Sequence, residues 1–178
     1  LWHDALAEER TQPAYLVEEN GGWREVSQAE AAQAVDELAH GLLALGIEKG
    51  DSFGMLARTR LEWVLLDFAL AQIGAVPAPI YPSSTSTECC YILEHSNAVG
   101  CFVEDDELLA KIEAARPEHV YTIETLPELR ALGREHAAAN PDALVRAREQ
   151  IGEVMPQVRP TVLPTVPRMW ALSFRTFN

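Results

Sequence analysis

The sequence predicts an α/β fold: a parallel or mixed sheet with helices on both faces, preceded by a β-hairpin. Three observations predict it. Between residues 52 and 151, short apolar runs alternate with stretches whose apolar residues recur every three or four positions, the periods of strand and helix. Residues 46–82, GIEKGDSFGMLARTRLEWVLLDFALAQIGAVPAPIYP, hold a whole strand–helix–strand unit. A crossover through one helix makes its two strands parallel. Ahead of it, two short arms flank Asn20-Gly21-Gly22, which is hairpin chemistry.

In chain order, Ala14–Val17 and Trp23–Val26 are the hairpin arms. Ser27 with Glu30 predicts a capping box that starts a helix, whose buried stripe is Val35, Leu38, Ala39, Leu42 and Leu43. Gly46 closes it in the left-handed cap conformation. Ser52–Leu56 is the first strand of the main sheet. Leu61, Val64, Leu65, Phe68 and Ala69 define the next helix, which Gly74 stops. The run 75–80 is a strand carrying Pro77 and Pro79, which places it at a sheet edge or a strand end, since proline cannot donate to a ladder. Thr85 with Glu88 forms a second capping box, for a helix reaching about Ser96. Val99–Val103 is a third strand and His119–Ile123 a further one. Helices follow over Leu126–His136 and Pro141–Ile151.

Composition excludes several functions. A net charge of −13 opposes nucleic acid, whose binding needs clustered Lys and Arg. No stretch approaches a transmembrane length of apolar residues, and Leu1-Trp2-His3-Asp4 has no basic leader. Cys89, Cys90 and Cys101 have no metal spacing and an odd count, so they read as small buried or half-buried residues of a reducing compartment, the cytoplasm. The five histidines are scattered, with no carboxylate, Cys or second His at ligand spacing. None is assigned to a metal or to catalysis.

Two runs resemble chemical sites. Ser83-Ser84-Thr85-Ser86-Thr87 suggests a phosphate loop, but it has no Gly and no following Lys, so a turn and helix cap explains it better. Glu104-Asp105-Asp106-Glu107 offers paired carboxylates, yet they sit where a helix begins, and negative charge there is favourable by up to about 1 kcal/mol. Capping is the preferred reading.

The long run from Leu42 to Pro82, continued by SSTSTECCYILEHS, resembles the N-terminal region of the adenylate-forming superfamily, specifically the AMP-forming fatty acyl-CoA synthetases. The resemblance implies a parent enzyme that activates a fatty acid, long-chain by its tail sequence, with ATP and Mg²⁺ to an acyl-adenylate and passes the acyl group to coenzyme A. It also implies fatty acid and coenzyme A as partners, with peripheral membrane contact possible. The tail VRPTVLPTVPRMW resembles the same family, in which it follows a Ser/Thr/Gly-rich phosphate loop that this chain lacks. All ten glycines lie at or before Gly152, and four of the eleven prolines fall in the last 23 residues. Residues 1–152 are therefore expected to be the N-terminal α/β portion of the large adenylation domain. Residues 153–178 are expected to be a strand–helix segment from further along it, not contiguous with 152 in the parent. Adenylation joins two anions and needs N–H donors and cations around the transferring phosphorus. With the last Lys at Lys111 and no glycine-lined nest, the chain alone is expected to be inactive and to bind no cofactor. No catalytic, cofactor or metal residue is assigned. By resemblance, Thr165, Pro167 and Arg168 line the acyl or nucleotide site. Two alternatives stay open: an adenylate-forming ligase for another acid or a carrier protein, and a non-catalytic α/β interaction module.

Overall fold

The computed structural model describes residues 12–154. The hairpin pairs β1 (Tyr15–Glu19) with β2 (Gly22–Val26) antiparallel, with Glu19 opposite Gly22. The connection is thus two residues, Asn20 and Gly21, at φ 53 and 77°. Two consecutive positive φ values are the type I′ turn that matches strand twist, so the arms run further, and the turn is tighter, than the Asn-Gly-Gly reading implied.

Helix α1 (Gln28–Ala44) begins at Ser27, whose hydroxyl accepts from the Glu30 N–H at 3.1 Å. The predicted box is only half formed: the Glu30 carboxylate instead takes a guanidinium N–H from Arg24 at 2.9 Å. At the other end, the Ile47 N–H bonds the Leu42 carbonyl and the Gly46 N–H that of Leu43, a Schellman closure around left-handed Gly46. The same closure ends α2 (Leu61–Ile73) at Gly74.

The main sheet contains β3 (Ser52–Leu56), β4 (Val76–Ile80), β5 (Ala98–Val103) and β6 (His119–Thr122), in the order β4-β3-β5-β6 and parallel throughout. Of the two expectations, parallel or mixed, the parallel one holds. β4 is an edge strand, as its prolines require: its first ladder N–H, from Val76, reaches Asp51 O at 2.8 Å, and Pro77 and Pro79 alternate away from β3.

Helices cover both faces. On one face α1, α2, α5 (Leu126–Ala139) and α6 (Ala143–Val154) pack with Phe53, Met55 and Phe102. On the other, α3 (Ser86–His95), the short α4 (Asp106–Leu109) and a 3₁₀ turn over Ala110–Ala115 enclose Leu56, Ile80, Cys101 and Val103. Alternate residues of β3 and β5 therefore feed two cores. The expected boundary at 152 falls inside α6.

The first core is held by polar bolts as well as by apolar contact. Glu37 on α1 is buried and accepts from Arg130 and Arg134 of α5 at 2.8 and 3.1 Å. Burial alone would raise its pKa, but hydrogen bonds from Gln33 and Arg130, with the charges of Arg130 and Arg134, bring it below the usual carboxylate value. Buried Gln72 of α2 donates to Asp36 of α1 at 3.0 Å and accepts from Arg148 of α6, so one amide links three helices.

Candidate functional site

In open α/β sheets, ligands bind beyond the carboxyl ends of strands, where neighbouring strands send their connections to opposite faces. β3 and β5 are such a pair: α2 leaves β3 towards the first core and α4 leaves β5 towards the second. The residues at this point are Ala57–Arg60 after β3 and Glu104–Asp105 after β5.

These residues form one ion-pair cluster around Glu104. Its backbone N–H extends the β3 ladder to Leu56 O at 3.1 Å. Its carboxylate, with the side chain only 12% exposed, accepts the Arg58 backbone N–H at 2.7 Å. The guanidinium groups of Arg58 and Arg60 lie 3.1 and 3.3 Å from one of its oxygens. Arg60 also bonds Glu62 in the first turn of α2 at 2.6 Å, and that bond is the main cause raising its pKa. Asp105 caps α4 by accepting from the Leu108 N–H at 2.9 Å; this bond, followed by those with Arg58, holds its carboxyl below the usual value. Capping is thus the role of Asp105, as the sequence suggested, whereas Glu104 has a different role that the local sequence did not reveal. Two guanidiniums face three carboxylates, Glu62, Glu104 and Asp105, leaving no cationic excess for an anionic ligand. The cluster braces the β3–α2 turn. Glu104→Ala is expected to cost about 2 kcal/mol, because a backbone N–H loses its acceptor, and Glu104→Gln about half as much, since an amide oxygen still accepts it. Urea unfolding of the two variants checks both values.

Beside this brace, a cleft of about 420 Å³ opens between the ends of β3 and β4, walled by Met55, Ala57, Trp63, Pro79, Ile80 and Tyr81. A second cleft of about 460 Å³ separates the hairpin from residues 59–64.

The Ser83–Thr87 loop is committed to its own helix. Thr85 and Glu88 complete the predicted capping box: the Thr85 N–H reaches the Glu88 carboxylate at 2.7 Å and the Glu88 N–H reaches Thr85 Oγ1 at 3.3 Å. Lys111 donates to the carbonyls of Pro82 and Ser84 at 2.6 and 3.0 Å. A carboxylate therefore occupies the position a phosphate would need. The positive-φ glycines among the described residues, Gly21, Gly46, Gly50 and Gly74, lie in the hairpin turn or at the amino ends of β3 and β4, opposite the candidate site. The described residues do not fit a triphosphate.

Cys89 and Cys101 are buried and Cys90 is half-buried, all free, as the sequence implied. Burial pushes the Cys101 thiol up to about 12, which removes it as a nucleophile at neutral pH. Among the described residues no three His, Cys, Asp or Glu side chains converge on a metal position, and no helix is long and apolar enough to cross a membrane. The histidines are less scattered than their spacing indicated: His40 and His136, 96 residues apart, approach to 3.1 Å. Thr165, Pro167 and Arg168 lie outside the described residues.

The fold and the carboxyl-end site define a doubly covered parallel α/β subdomain. The chain belongs to the AMP-binding enzyme family, whose model matches residues 2–150. It is 33% identical over 165 residues to the long-chain-fatty-acid–CoA ligase FadD15 of Mycobacterium tuberculosis, covering 86% of this chain and 26% of that protein. It is 32% identical over 117 residues to the long-chain-fatty-acid–CoA ligase heimdall of Drosophila melanogaster, covering 66% and 16%. Among solved structures, a long-chain-fatty-acid-CoA ligase, FadD1 from Archaeoglobus fulgidus, shares the fold with a TM-score of 0.64 at 23% identity, over 74% of this chain and 29% of that one. The chain thus spans about a quarter of the length of the FadD15 ligases it matches.

Proposed function

We propose that the full-length protein containing this chain activates a long-chain fatty acid with ATP to an acyl-adenylate and transfers the acyl group to coenzyme A, releasing AMP and pyrophosphate. The observation that carries this reading is the 33% identity to FadD15, a long-chain-fatty-acid–CoA ligase, across 86% of the chain. Within that enzyme the described residues act as scaffold: a parallel sheet whose carboxyl end between β3 and β5 is occupied by the ion pairs of Glu104 with Arg58 and Arg60. Mg²⁺ belongs to the same proposal, as the counter-charge to the triphosphate. So do a cytoplasmic location, peripheral contact with lipid surfaces that supply the acid, placement of Thr165, Pro167 and Arg168 along the acyl or nucleotide site, and derivation of 153–178 from further along the parent domain.

Two experiments test this. The full-length gene product, assayed with ATP, coenzyme A and acids from C2 to C18, is expected to form acyl-CoA with long-chain acids; turnover confined to short or aromatic acids, or none, overturns the reading. Calorimetry of this chain with MgATP is expected to show no binding, since the described residues offer no free N–H cradle; micromolar binding overturns the scaffold role. The parent gene sequence between the codons for Gly152 and Val154 tests the boundary.

A further inference from the structure

The contact of α1 with α5 places two imidazoles together inside a helix seam. The Nδ1 atoms of His40 and His136 are 3.1 Å apart, with ring centroids separated by 5.3 Å and planes inclined at 52°. His40 is buried at 6% exposure. A hydrogen bond between two Nδ1 atoms needs one donor and one acceptor, so the two rings hold opposite tautomers when neutral. One added proton is tolerated, because it goes to the Nε2 of the donating ring and leaves the acceptor lone pair free. A second proton makes both Nδ1 atoms donors and sets two cations against each other.

We propose that His40 and His136 form an acid-sensitive latch between α1 and α5 that accepts one proton but releases when both rings become charged. The surroundings favour this behaviour. From α1, Asp36 draws a proton towards His40; from α6, Arg148 opposes it. Gln72 of α2, which bonds both Asp36 and Arg148, is neutral. One turn earlier on α1, Glu37 is already committed to Arg130 and Arg134 of α5 and cannot act as counter-ion. Burial first, then the charge of His136, lowers the pKa of His40. The seam itself has little tolerance for rearrangement, because Gly41 and Gly133 bring the two backbones into contact beside the pair.

The sign follows from proton counting. The unfolded chain takes up two protons on these rings near pH 6.5, whereas a folded pair that keeps its Nδ1–Nδ1 hydrogen bond has room for one. Stability is then complete above that value and falls as pH drops through it, by about tenfold in the folding constant per pH unit for one proton of difference. Carboxylates held low, such as Glu37 and Asp105, lose their contributions only in the more acidic range around their ordinary values near 4.

The full chain is tested by urea unfolding at pH 7.5, 6.5 and 5.5, alongside His136→Asn, whose amide keeps a hydrogen-bonding atom near the Nδ1 position without titrating. The folding constant of the parent chain is expected to fall about tenfold between pH 7.5 and 5.5, and that of His136→Asn by a smaller factor, because the repulsion from His136 is gone while the burial of His40 remains. An equal fall in both, or none in the parent chain, overturns the latch. Imidazole nitrogen NMR of the parent chain at pH 7.5 gives a reading independent of any variant: one Nδ1–H and one Nε2–H tautomer are expected for the pair, and two Nε2–H tautomers overturn the proposal.

Discussion

Replacing Gly133 by alanine is expected to destabilise the domain by about 3 kcal/mol or more, although Gly133 lies inside helix α5. By helix propensity alone the substitution should stabilise, by about 1 kcal/mol. The opposite sign comes from α1. A Cβ at position 133 would lie 1.8 Å from the Glu37 carbonyl oxygen, 2.8 Å from its carbon and 2.9 Å from the Gly41 nitrogen. All three are backbone atoms, so no rotamer change relieves the contact and the helices must separate. Separation also stretches the Glu37–Arg130 and His40–His136 bonds. Against a typical domain stability of 5–15 kcal/mol, the loss is large enough to appear as a displaced urea midpoint. A midpoint that rises would mean that the two backbones are not in contact. Gly41→Ala meets Leu129 O at 2.4 Å and disturbs the same seam, so the two substitutions together are expected to cost less than their sum.

This seam shows why part of the fold was legible in the sequence and part was not. Features set by neighbours in the chain were readable. The prolines of β4 indicated an edge, Gly46 and Gly74 indicated helix ends, and Thr85 with Glu88 indicated a cap; each follows from a local backbone constraint. The strand–helix alternation gave the parallel sheet because a crossover helix leaves few other arrangements. The buried stripe of α2 was read only partly: Leu66, Leu70 and Ile73 are buried while Val64 and Phe68 are half-buried. The helix has α1 on one side and the sheet on another, so a single periodic face does not describe it. Glu30 shows local chemistry losing to a competitor, since Arg24 on the neighbouring strand takes the carboxylate the box needed.

The candidate site was less legible for the same reason. The sequence identified an acidic run after β5 but could not separate Asp105, which caps, from Glu104, which reaches across 46 residues to the Arg58 backbone. An Arg-x-Arg after one strand and a Glu after another are complementary only once the strands are known to be neighbours. His40 and His136 were equally invisible, because spacing rules detect pairs on one element and not across a helix crossing. The family resemblance was carried by the long Leu42–Pro82 segment, a strand–helix–strand unit whose local pattern is readable without knowing which residues act chemically.

The other large effect is expected at the centre of the sheet, where β3 and β5 place Phe53 opposite Gly100. Phe53 is fully buried, and its ring lies over the glycine: a Cβ at position 100 would be 2.3 and 2.8 Å from two ring carbons and 2.9 Å from His119 O on β6. Phe53→Ala is expected to cost about 3–5 kcal/mol by leaving a cavity in the first core. Gly100→Ala alone is expected to cost about 2 kcal/mol by displacing the ring. The double variant should be less damaged than the sum by at least about 1 kcal/mol, since the new methyl then enters space the ring has vacated. The remaining contact with His119 O keeps the compensation incomplete, because that atom belongs to the ladder and cannot move independently. A double-mutant cycle by urea unfolding decides the point. Strict additivity would mean that Gly100 is required by the β5–β6 backbone pairing and not by the aromatic ring across from it.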